Sequence, residues 1–348
     1  MADRLLRGVA PDGDERVLVL CPTESSFLDL LGERGHRGPV VVADFDAARL
    51  ARWATLGGRV RLATWDIRRI PAPPRGSGPQ ITFLDVDAAP GKEAGVFLIR
   101  AAASWTAGPL HVAGSRSLGF ETILRDALLA GGIVQKDLSW RKGRGLATLG
   151  SLHQSLVAAP QPRLGRRTVA GREIILEADP FVFAGGDVDP ATAMLIDAIE
   201  LRGDERLLDL GCGAGIVGLA LSAHLSRGIA LMTDSNACAV ALSRRNQLRN
   251  GTPNAAVCLA VGSAGASPGA FDVVAINPPF HSSREHDRNL GAGLIESGFA
   301  ACRPGGALYV VANRFLRYER LMSSFGETSE IAGDTRFKVL RTVRSQRR

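Results

Sequence analysis

The sequence lacks several features that would place the protein in a specialised class. Its five cysteines are scattered and form no C-x-x-C pair, which argues against a structural zinc site or a disulfide framework and fits a reducing compartment. No apolar run approaches the length of about 20 residues that spans a bilayer. The N-terminal residues have no apolar stretch of the kind found in signal peptides. We therefore expect a cytoplasmic globular protein without a membrane span or a metal site.

Lysine is also scarce, since only four of the 42 basic residues are lysine and the remaining 38 are arginine. The formal net charge is +7. Arginine can bind a phosphate through two parallel hydrogen bonds, so this composition favours a nucleic-acid partner. A genome rich in G and C, whose codons favour arginine, would produce the same composition. Charge alone does not decide between these two interpretations.

The chain of 348 residues is long for a single hydrophobic core, and its second half has the pattern of an α/β domain. Short apolar segments such as ERLLDL (205–210) and FDVVAIN (271–277) alternate with segments of helical character. Strands that alternate with helices predict a mostly parallel sheet with helices on both faces. We therefore expect a Rossmann-like domain in this half.

The first half repeats the same order of elements. Residues 15–31 can be placed over 205–221, which indicates an old duplication of one α/β unit. Residues 158–173 are rich in proline and arginine and lack periodicity, as in a linker. We predict two tandem Rossmann-like domains, at residues 1–160 and 161–348.

The two halves differ in their chemistry. The glycine-rich turn of the second half corresponds to residues 21–26 in the first, and residues 277–280 correspond to 86–89, whereas an acidic residue is kept at Asp44. We therefore expect the N-terminal domain to have kept the fold and lost the site. Such a domain is either an RNA-docking platform or a folding scaffold.

The segment LLDLGCGAGIVGLA (207–220) contains a glycine turn between a strand and a helix. Glycines let the backbone approach a ligand and adopt positive φ, and the start of the next helix offers free N–H groups. Asp234 ends the following strand, where a carboxylate can accept hydrogen bonds from two ribose hydroxyls. Together these features predict a nucleotide-like cofactor, and by themselves they allow NAD. The turn resembles the first motif of class I S-adenosylmethionine (SAM) methyltransferases.

The segment VVAINPPFH (273–281) is an apolar strand that ends in asparagine, two prolines and an aromatic residue. Ligands of open α/β sheets bind at the carboxyl ends of the strands, so we expect Asn277 to face the methyl donor. Its side-chain carbonyl can accept a hydrogen bond from an exocyclic amine, the prolines stiffen the loop, and Phe280 offers a face on which a flipped-out base can stack. The pattern resembles the signature of methyltransferases that act on adenine N6, cytosine N4, guanine N2 or a protein glutamine. NAD enzymes have no use for it, which removes the oxidoreductase alternative.

Three further segments sharpen the resemblance. FVFAGGDVDPATAMLIDAI (181–199), RPGGALYVVANRFLRYERLMSSFG (303–326) and DTRFKVLRTVR (334–344), together with NPPFH, are similar to the ribosomal RNA small subunit methyltransferase C family and its large-subunit relative G. The resemblance implies guanine-N2 methylation of ribosomal RNA, with SAM as cofactor, ribosomal RNA or a ribosomal subunit as partner, and the small subunit favoured. It also implies two similar domains, of which only the C-terminal one keeps the SAM site, and a monomer is then reasonable.

The resemblance assigns roles to individual residues. The catalytic loop would consist of Asn277, Pro278, Pro279 and Phe280. The cofactor site would consist of Asp209, Gly211, Cys212, Gly213, Gly215, Asp234, Ser235, Gly262, Ser263 and Asn277. Gly262 and Ser263 follow the third strand, where many methyltransferases place an acidic residue against the adenine amine, so backbone groups would replace that contact here.

Several basic and aromatic residues are candidates for RNA binding. They are His281, Arg314, Phe315, Arg317, Arg166 and Arg167. Arginines that flank an aromatic residue suit contacts to RNA phosphates and bases. A solvated sheet edge, a charged linker and a loop histidine without a role are the alternative interpretations.

Two other functions remain open from the sequence alone. One is a related enzyme that acts on adenine N6 of transfer RNA or on a release-factor glutamine, although glutamine enzymes usually carry tyrosine at the position of Phe280. The other is an RNA-binding or assembly factor without activity, which the presence of Asp209, Asn277 and Phe280 disfavours.

Overall fold

The computed structural model describes residues 11, 13–23, 26–54, 60–64, 66, 77–150, 157, 160–183, 187–278 and 285–345. The chain forms two compact units, Met1–Gln161 and Pro162–Arg348. Each unit contains a seven-stranded sheet, and the second unit also contains a separate two-stranded hairpin. Within the described residues, no helix combines the length and the apolar character that a membrane crossing requires.

The sheet of the first unit has the order β3-β2-β1-β4-β5-β7-β6. Its first five strands are parallel, and β7 and β6 are antiparallel to their neighbours. Helices cover the sheet, and the rings of Phe27 and Phe83 stack in the core at 4.3 Å between centroids. The strands are β1 (Val17–Leu20), β2 (Val40–Asp44), β3 (Val60–Thr64), β4 (Ile81–Asp85), β5 (Leu110–Ser115), β6 (Gln135–Arg141) and β7 (Arg144–Leu149), and the helices are α1 (Ser26–Glu33), α2 (Ala47–Ala51), α3 (Lys92–Trp105) and α4 (Phe120–Leu129).

The sheet of the second unit repeats this arrangement, with the order β12-β11-β10-β13-β14-β16-β15. β10 to β14 are parallel, whereas β16 and β15 are antiparallel. This confirms the predicted tandem Rossmann-like folds with mostly parallel sheets. The strands are β8 (Arg163–Val169), β9 (Arg172–Ala178), β10 (Arg206–Leu210), β11 (Ile229–Asp234), β12 (Ala255–Leu259), β13 (Phe271–Ile276), β14 (Cys302–Asn313), β15 (Gly326–Gly333) and β16 (Phe337–Arg344), and the helices are α5 (Pro190–Asp197), α6 (Ile216–Ser222), α7 (Ala237–Arg249), α8 (Glu285–Ala301) and α9 (Tyr318–Ser323).

The expectation of an irregular linker at residues 158–173 is wrong for most of that segment. Strands β8 and β9 pair as an antiparallel hairpin, and its two turn residues, Ala170 and Gly171, have φ of 49° and 72°. Positive φ at both positions produces a tight hairpin turn whose twist matches that of the strands. The sequence carries no strand signal for β8 because its exposed, arginine-rich residues lack an apolar pattern.

Strand registers show which residues of the two units correspond. Leu20 pairs with Leu84, and Leu210 pairs with Ile276 in the same parallel arrangement. Asn277 therefore corresponds to Asp85, which corrects the alignment of residues 277–280 with 86–89 by one position. The same comparison makes Asp44 the counterpart of Asp234, as expected, because each of these two residues ends the second strand of its sheet.

Candidate active site

The glycine turn joins the end of β10 to the start of α6 in a backbone conformation that requires glycine. Gly211, Gly213 and Gly215 have φ of 78°, 55° and 83°. The N–H groups of Gly211 and Cys212 both donate to the carbonyl of Thr233 on β11, at 2.8 and 2.9 Å. These two hydrogen bonds attach the turn to the end of β11 and fix its position at the carboxyl edge of the sheet.

Asp234 lies beside this turn, as the sequence predicts. Its Oδ2 accepts a hydrogen bond from the Gly213 N–H at 2.9 Å, and its Oδ1 accepts one from the Asn236 N–H at 2.8 Å. The predicted ribose contacts would be made by this same carboxylate. Asp234 therefore shapes the turn through its two backbone contacts.

Asp209 lies beneath the turn rather than on its surface. It is 3% exposed, and its Oδ2 accepts a hydrogen bond from the Gly218 N–H at 2.9 Å. The pKa of this carboxyl is raised to about 7, mainly by burial; the Gly218 hydrogen bond opposes the rise and the nearby charge of Asp234 adds to it. Asp209 therefore holds the start of α6 under the turn, and its direct contact with a cofactor stays a prediction.

Two residues of α7 that the sequence analysis missed hold the turn from the other side. Ser243 Oγ donates to the Gly213 carbonyl at 2.7 Å, and Asn246 Nδ2 donates to the Ala214 carbonyl at 3.0 Å. Asn246 Oδ1 also accepts from the Glu177 N–H of β9 at 2.8 Å, so the same amide bonds the hairpin to the turn. A serine and an asparagine three residues apart on one helix face were the available signal.

Cys212 lies within the turn as a buried thiol. Its Sγ is 3.5 Å from Ser243 Oγ. Burial raises the pKa of the Cys212 thiol, and the carboxylates of Asp234 and Asp209 raise it further. The thiol therefore stays neutral and packs the turn rather than acting as a nucleophile.

Asn277 follows the last residue of β13, next to the strand that leads into the turn. Its Nδ2 donates to Thr192 Oγ1 at 2.8 Å and to Asp189 Oδ2 at 3.3 Å. Its Oδ1 is buried and receives no hydrogen bond from any residue that the structure describes. Within the described residues, this acceptor at the carboxyl edge of the sheet is therefore not used by the fold.

The remaining residues of the predicted catalytic loop are only partly covered. Pro278 is buried, whereas Pro279, Phe280 and His281 lie outside the described residues. A Cβ on Gly291 of α8 would lie 2.1 Å from the Tyr318 hydroxyl and 3.8 Å from Pro278 Cβ. Pro278, α8 and Tyr318 thus pack closely, and only glycine fits at position 291.

The segment after the third strand carries the predicted adenine contacts. Gly262 has φ of 55°, and Ser263 receives support from α8, because Ser297 Oγ lies 2.6 Å from the Ser263 N–H and 2.9 Å from the Ser263 hydroxyl. A side chain at Gly262 would clash with Ser297 Oγ, at 2.6 Å. The backbone after β12 is thus fixed against α8, while Ser235, after Asp234, is partly exposed.

The predicted RNA-binding residues differ in availability. Phe315 is 69% exposed and Arg317 is exposed, in the loop after β14 at the same sheet edge as Asn277. Arg314 is paired with Glu330 at 2.8 Å. Arg166 and Arg167, on β8, are paired with Glu173 and Asp187 at 2.5 and 2.6 Å.

The corresponding edge of the first unit is filled by its own side chains. Arg49 donates to both oxygens of Asp44, at 2.9 and 2.7 Å. Arg144 donates to Asp85 at 2.7 Å and to Asp87 at 2.9 Å. Cys21 replaces the first glycine of the turn, at φ of 51°. The carboxylates that correspond to the site of the second unit are thus bonded to arginines.

Residues of the second unit fit a bound SAM molecule. Cβ atoms on Gly211 and Gly213 would approach Leu294 and Val182 to 3.6 and 3.7 Å, so the bare glycine backbone leaves a shallow cradle. The Asp234 carboxylate lies against the turn, and Asn277 Oδ1 receives no hydrogen bond within the described part of the chain. Fold and site together define a SAM-dependent methyltransferase of the Rossmann-like class.

Comparisons with known proteins narrow this class. Residues 173–341 match the family model "Methyltransferase small domain". A ribosomal RNA small subunit methyltransferase C from Chromohalobacter salexigens is 35% identical over 244 residues, which cover 69% of this chain and 71% of the relative. The chain belongs to the family of ribosomal RNA small subunit methyltransferase C.

Other relatives are matched over about half of their length. A ribosomal RNA large subunit methyltransferase G from Streptomyces avermitilis is 33% identical over 51% of this chain and 46% of the relative.

A solved 16S rRNA N2 methyltransferase from T. thermophilus, in complex with AdoMet and guanosine, superposes with a TM-score of 0.81 at 23% identity. That match covers 98% of this chain and 91% of the other, which shows the shared two-domain fold.

Proposed function

We propose that the protein transfers a methyl group from SAM to the exocyclic N2 amine of a guanine in 16S ribosomal RNA. The observation that carries this proposal is Asn277 Oδ1, which lies at the carboxyl edge of the sheet beside the glycine turn and accepts no hydrogen bond from the residues that the structure describes. An acceptor at this point selects an amine that presents an N–H group. The names of the relatives support guanine in small-subunit RNA as the target.

The residues of this chain supply binding and orientation. When bound, SAM supplies an electrophilic methyl group. The Gly211–Gly215 turn and Asp234 hold the cofactor, and Asn277 Oδ1 accepts one N–H of the guanine amine, which directs the nitrogen lone pair towards the methyl carbon. The nitrogen would form a bond to that carbon as the bond between the methyl carbon and sulfur breaks, with the electron pair left on sulfur, and it would then release its second proton to water. Positioning of this kind contributes by holding the reacting atoms in line.

Pro278, Pro279 and Phe280 complete the proposed catalytic loop. Proline fixes φ, so the loop loses little conformational entropy when a substrate binds. Phe280 would stack on a guanine that has left the helical stack, a requirement shared by enzymes that modify bases. His281 would contact the adjacent phosphate or base.

We further propose that Phe315 and Arg317 contact the RNA, because both are exposed at the same edge of the sheet as Asn277. Arg166, Arg167 and Arg314 would have to exchange carboxylate partners for phosphates. In the first unit, Arg116 lies over the Trp140 ring at 4.5 Å, and Lys142 is exposed two residues further on, which supports an RNA-docking role for this unit. We propose that the protein works as a monomer in the cytoplasm, where ribosomal subunits are assembled and methylated.

Transfer of labelled methyl from SAM tests the proposal. Small subunits, large subunits and transfer RNA from a strain that lacks the gene are incubated with enzyme, and products are identified by nucleoside mass spectrometry. We expect N2-methylguanosine in 16S RNA, and no label with Asn277→Ala. Label in large-subunit RNA would show that the substrate is large-subunit RNA, as the name of the S. avermitilis relative indicates for that protein. Label as N6-methyladenosine, or none anywhere, would overturn the proposal.

A further inference from the structure

We propose that Asp189 and Thr192 are positioning residues that set the orientation of the Asn277 amide, so that its oxygen rather than its nitrogen faces the substrate amine. This inference rests on the proposed function, because it assigns Asn277 the role of hydrogen-bond acceptor. Neither residue belongs to the glycine turn or to the Asn-Pro-Pro-Phe loop. Both lie at the start of α5, 85 and 88 residues away from Asn277 in sequence.

A chain of hydrogen bonds with one polarity links the three side chains. The Asp189 carboxylate can only accept, so the Thr192 hydroxyl must donate its proton to Asp189 Oδ2, at 2.5 Å. Thr192 Oγ1 then has only lone pairs left for Asn277, and the Asn277 amide must donate to it, at 2.8 Å. The second contact, from Asn277 Nδ2 to Asp189 Oδ2 at 3.3 Å, has the same polarity.

The opposite orientation of the amide is unfavourable because it would place one acceptor against two others. A flipped Asn277 would turn its oxygen towards Thr192 Oγ1 and Asp189 Oδ2, which have no proton to offer it. Its amino group would then face the substrate amine, donor against donor. The negative charge at Asp189 therefore determines, through Thr192, that Asn277 presents a carbonyl.

The two positioning residues are themselves held by the start of the helix. Asp189 is the N-cap of α5, and its Oδ1 accepts hydrogen bonds from the N–H groups of Ala191 and Thr192 at 2.9 and 3.1 Å. Pro190 occupies the first helical position, where its fixed φ suits the turn. Thr192 is only 6% exposed. The four hydrogen bonds that Asp189 accepts also make it a poor site for receiving the substrate proton, so its role is positioning.

Two substitutions test this inference, each with a matched control. Thr192→Val removes the relay at nearly constant volume, whereas Thr192→Ser keeps the hydroxyl. Asp189→Asn keeps an oxygen that can cap the helix, but an amino group replaces Oδ2 and donates to Thr192. The Thr192 hydroxyl must then accept from that introduced amino group and donate to Asn277, which reverses the Asn277 amide. Asp197→Asn, at the end of the same helix, controls for the loss of one charge.

We expect kcat for methyl transfer to small subunits to fall about 100-fold in Thr192→Val and Asp189→Asn. Affinity for SAM, measured by calorimetry, and the melting temperature should stay close to those of the wild type. Thr192→Ser should restore kcat, which a merely structural role of the threonine side chain would not predict. Wild-type kcat in both Thr192→Val and Asp189→Asn would overturn the inference.

A measurement independent of activity separates this inference from the proposed function. The side-chain NH₂ resonances of Asn277 are assigned in a ¹⁵N spectrum by their loss in Asn277→Asp. The amide should show slowed proton exchange in the wild type and in Thr192→Ser, and both its shifts and its exchange should change in Asp189→Asn. Unchanged resonances in Asp189→Asn would overturn the orientation argument even if the enzyme methylates guanine. A wild-type enzyme without transferase activity would overturn the proposed function, and the resonances would still decide the orientation.

Discussion

The backbone N–H of Gly213 donates a hydrogen bond to Asp234 Oδ2 at 2.9 Å, so the glycine turn and the acidic strand end form one unit. The sequence separates these residues by 21 positions. The Asp234 carboxylate therefore stabilises the glycine turn even when no cofactor is bound. Loss of the carboxylate should thus affect the turn and the ribose contacts together.

Asp234→Ala should weaken SAM binding by tenfold or more, since a charge-assisted hydrogen bond contributes about 1.5–3 kcal/mol. Calorimetric titration with SAM measures this change. Asp44→Asn, at the corresponding position of the first unit, is the control and should leave the affinity unchanged, because Asp44 is bonded to Arg49. Equal affinity in the wild type and Asp234→Ala would remove Asp234 from the cofactor site.

Asp209 should make the stability of the second unit fall as pH rises from about 4 to 7. Burial raises its folded pKa from 3.8 to about 7, so the folded state binds more protons than the unfolded state within this window. The free energy of unfolding then decreases with pH and levels off above 7. Asp209→Asn, which keeps an acceptor for the Gly218 N–H, should flatten this dependence.

Hydrogen exchange of the peptide that contains Gly218, followed by mass spectrometry across this pH range, measures the effect after correction for intrinsic rates. Tryptophan fluorescence provides an internal control, since all four tryptophans (Trp53, Trp65, Trp105 and Trp140) lie in the first unit. An Asp209→Asn variant with the same pH profile as the wild type would show that this carboxyl does not titrate as described.

Phe315→Ala should weaken binding of 16S RNA by about 1–3 kcal/mol, the usual contribution of one stacked base. Because its ring is 69% exposed, stability and SAM affinity should not change. Leu248→Ala is the matched control, since Leu248 is 79% exposed on α7. Filter binding at several salt concentrations separates stacking from charge, and Arg317→Ala should reduce the salt dependence. RNA affinity that is the same in Phe315→Ala as in Leu248→Ala would place the RNA elsewhere.

Arg144→Met should destabilise the first unit by about 3–5 kcal/mol, because it leaves the carboxylates of Asp85 and Asp87 without their arginine. Burial already raises the pKa of Asp85, and Arg144 opposes that rise. Denaturant unfolding followed by tryptophan fluorescence reports on this unit. We expect no SAM binding to the first unit of this variant, since Arg49 still donates hydrogen bonds to both carboxylate oxygens of Asp44. A second equivalent of bound SAM would contradict this expectation.

The sequence was sufficient for the architecture and for the prediction that the glycine turn, Asp234 and Asn277 lie at the same edge of the sheet. Strand and helix alternation follows from local periodicity, and the glycine turn, Asp234 and Asn277 follow from motifs whose backbone requirements are local. The arginine-rich hairpin β8–β9 was missed because its solvated face lacks an apolar pattern. The correspondence of Asn277 with Asp85 needed the strand registers, which sequence comparison placed one residue out.

The chemical groups available at each strand end could be read from local sequence, because glycine and proline restrict or free their own backbone and the acidic residues follow apolar strand segments. The orientation of those groups depends on contacts with residues that are distant in sequence. The Asn277 amide uses its nitrogen, and not its oxygen, for contacts within the fold because Asp189 and Thr192, 88 and 85 residues away, present acceptors to that nitrogen. Hydrogen-bond polarity is a property of the assembled neighbours, and no local pattern specifies which atom of an amide a distant helix start will bind.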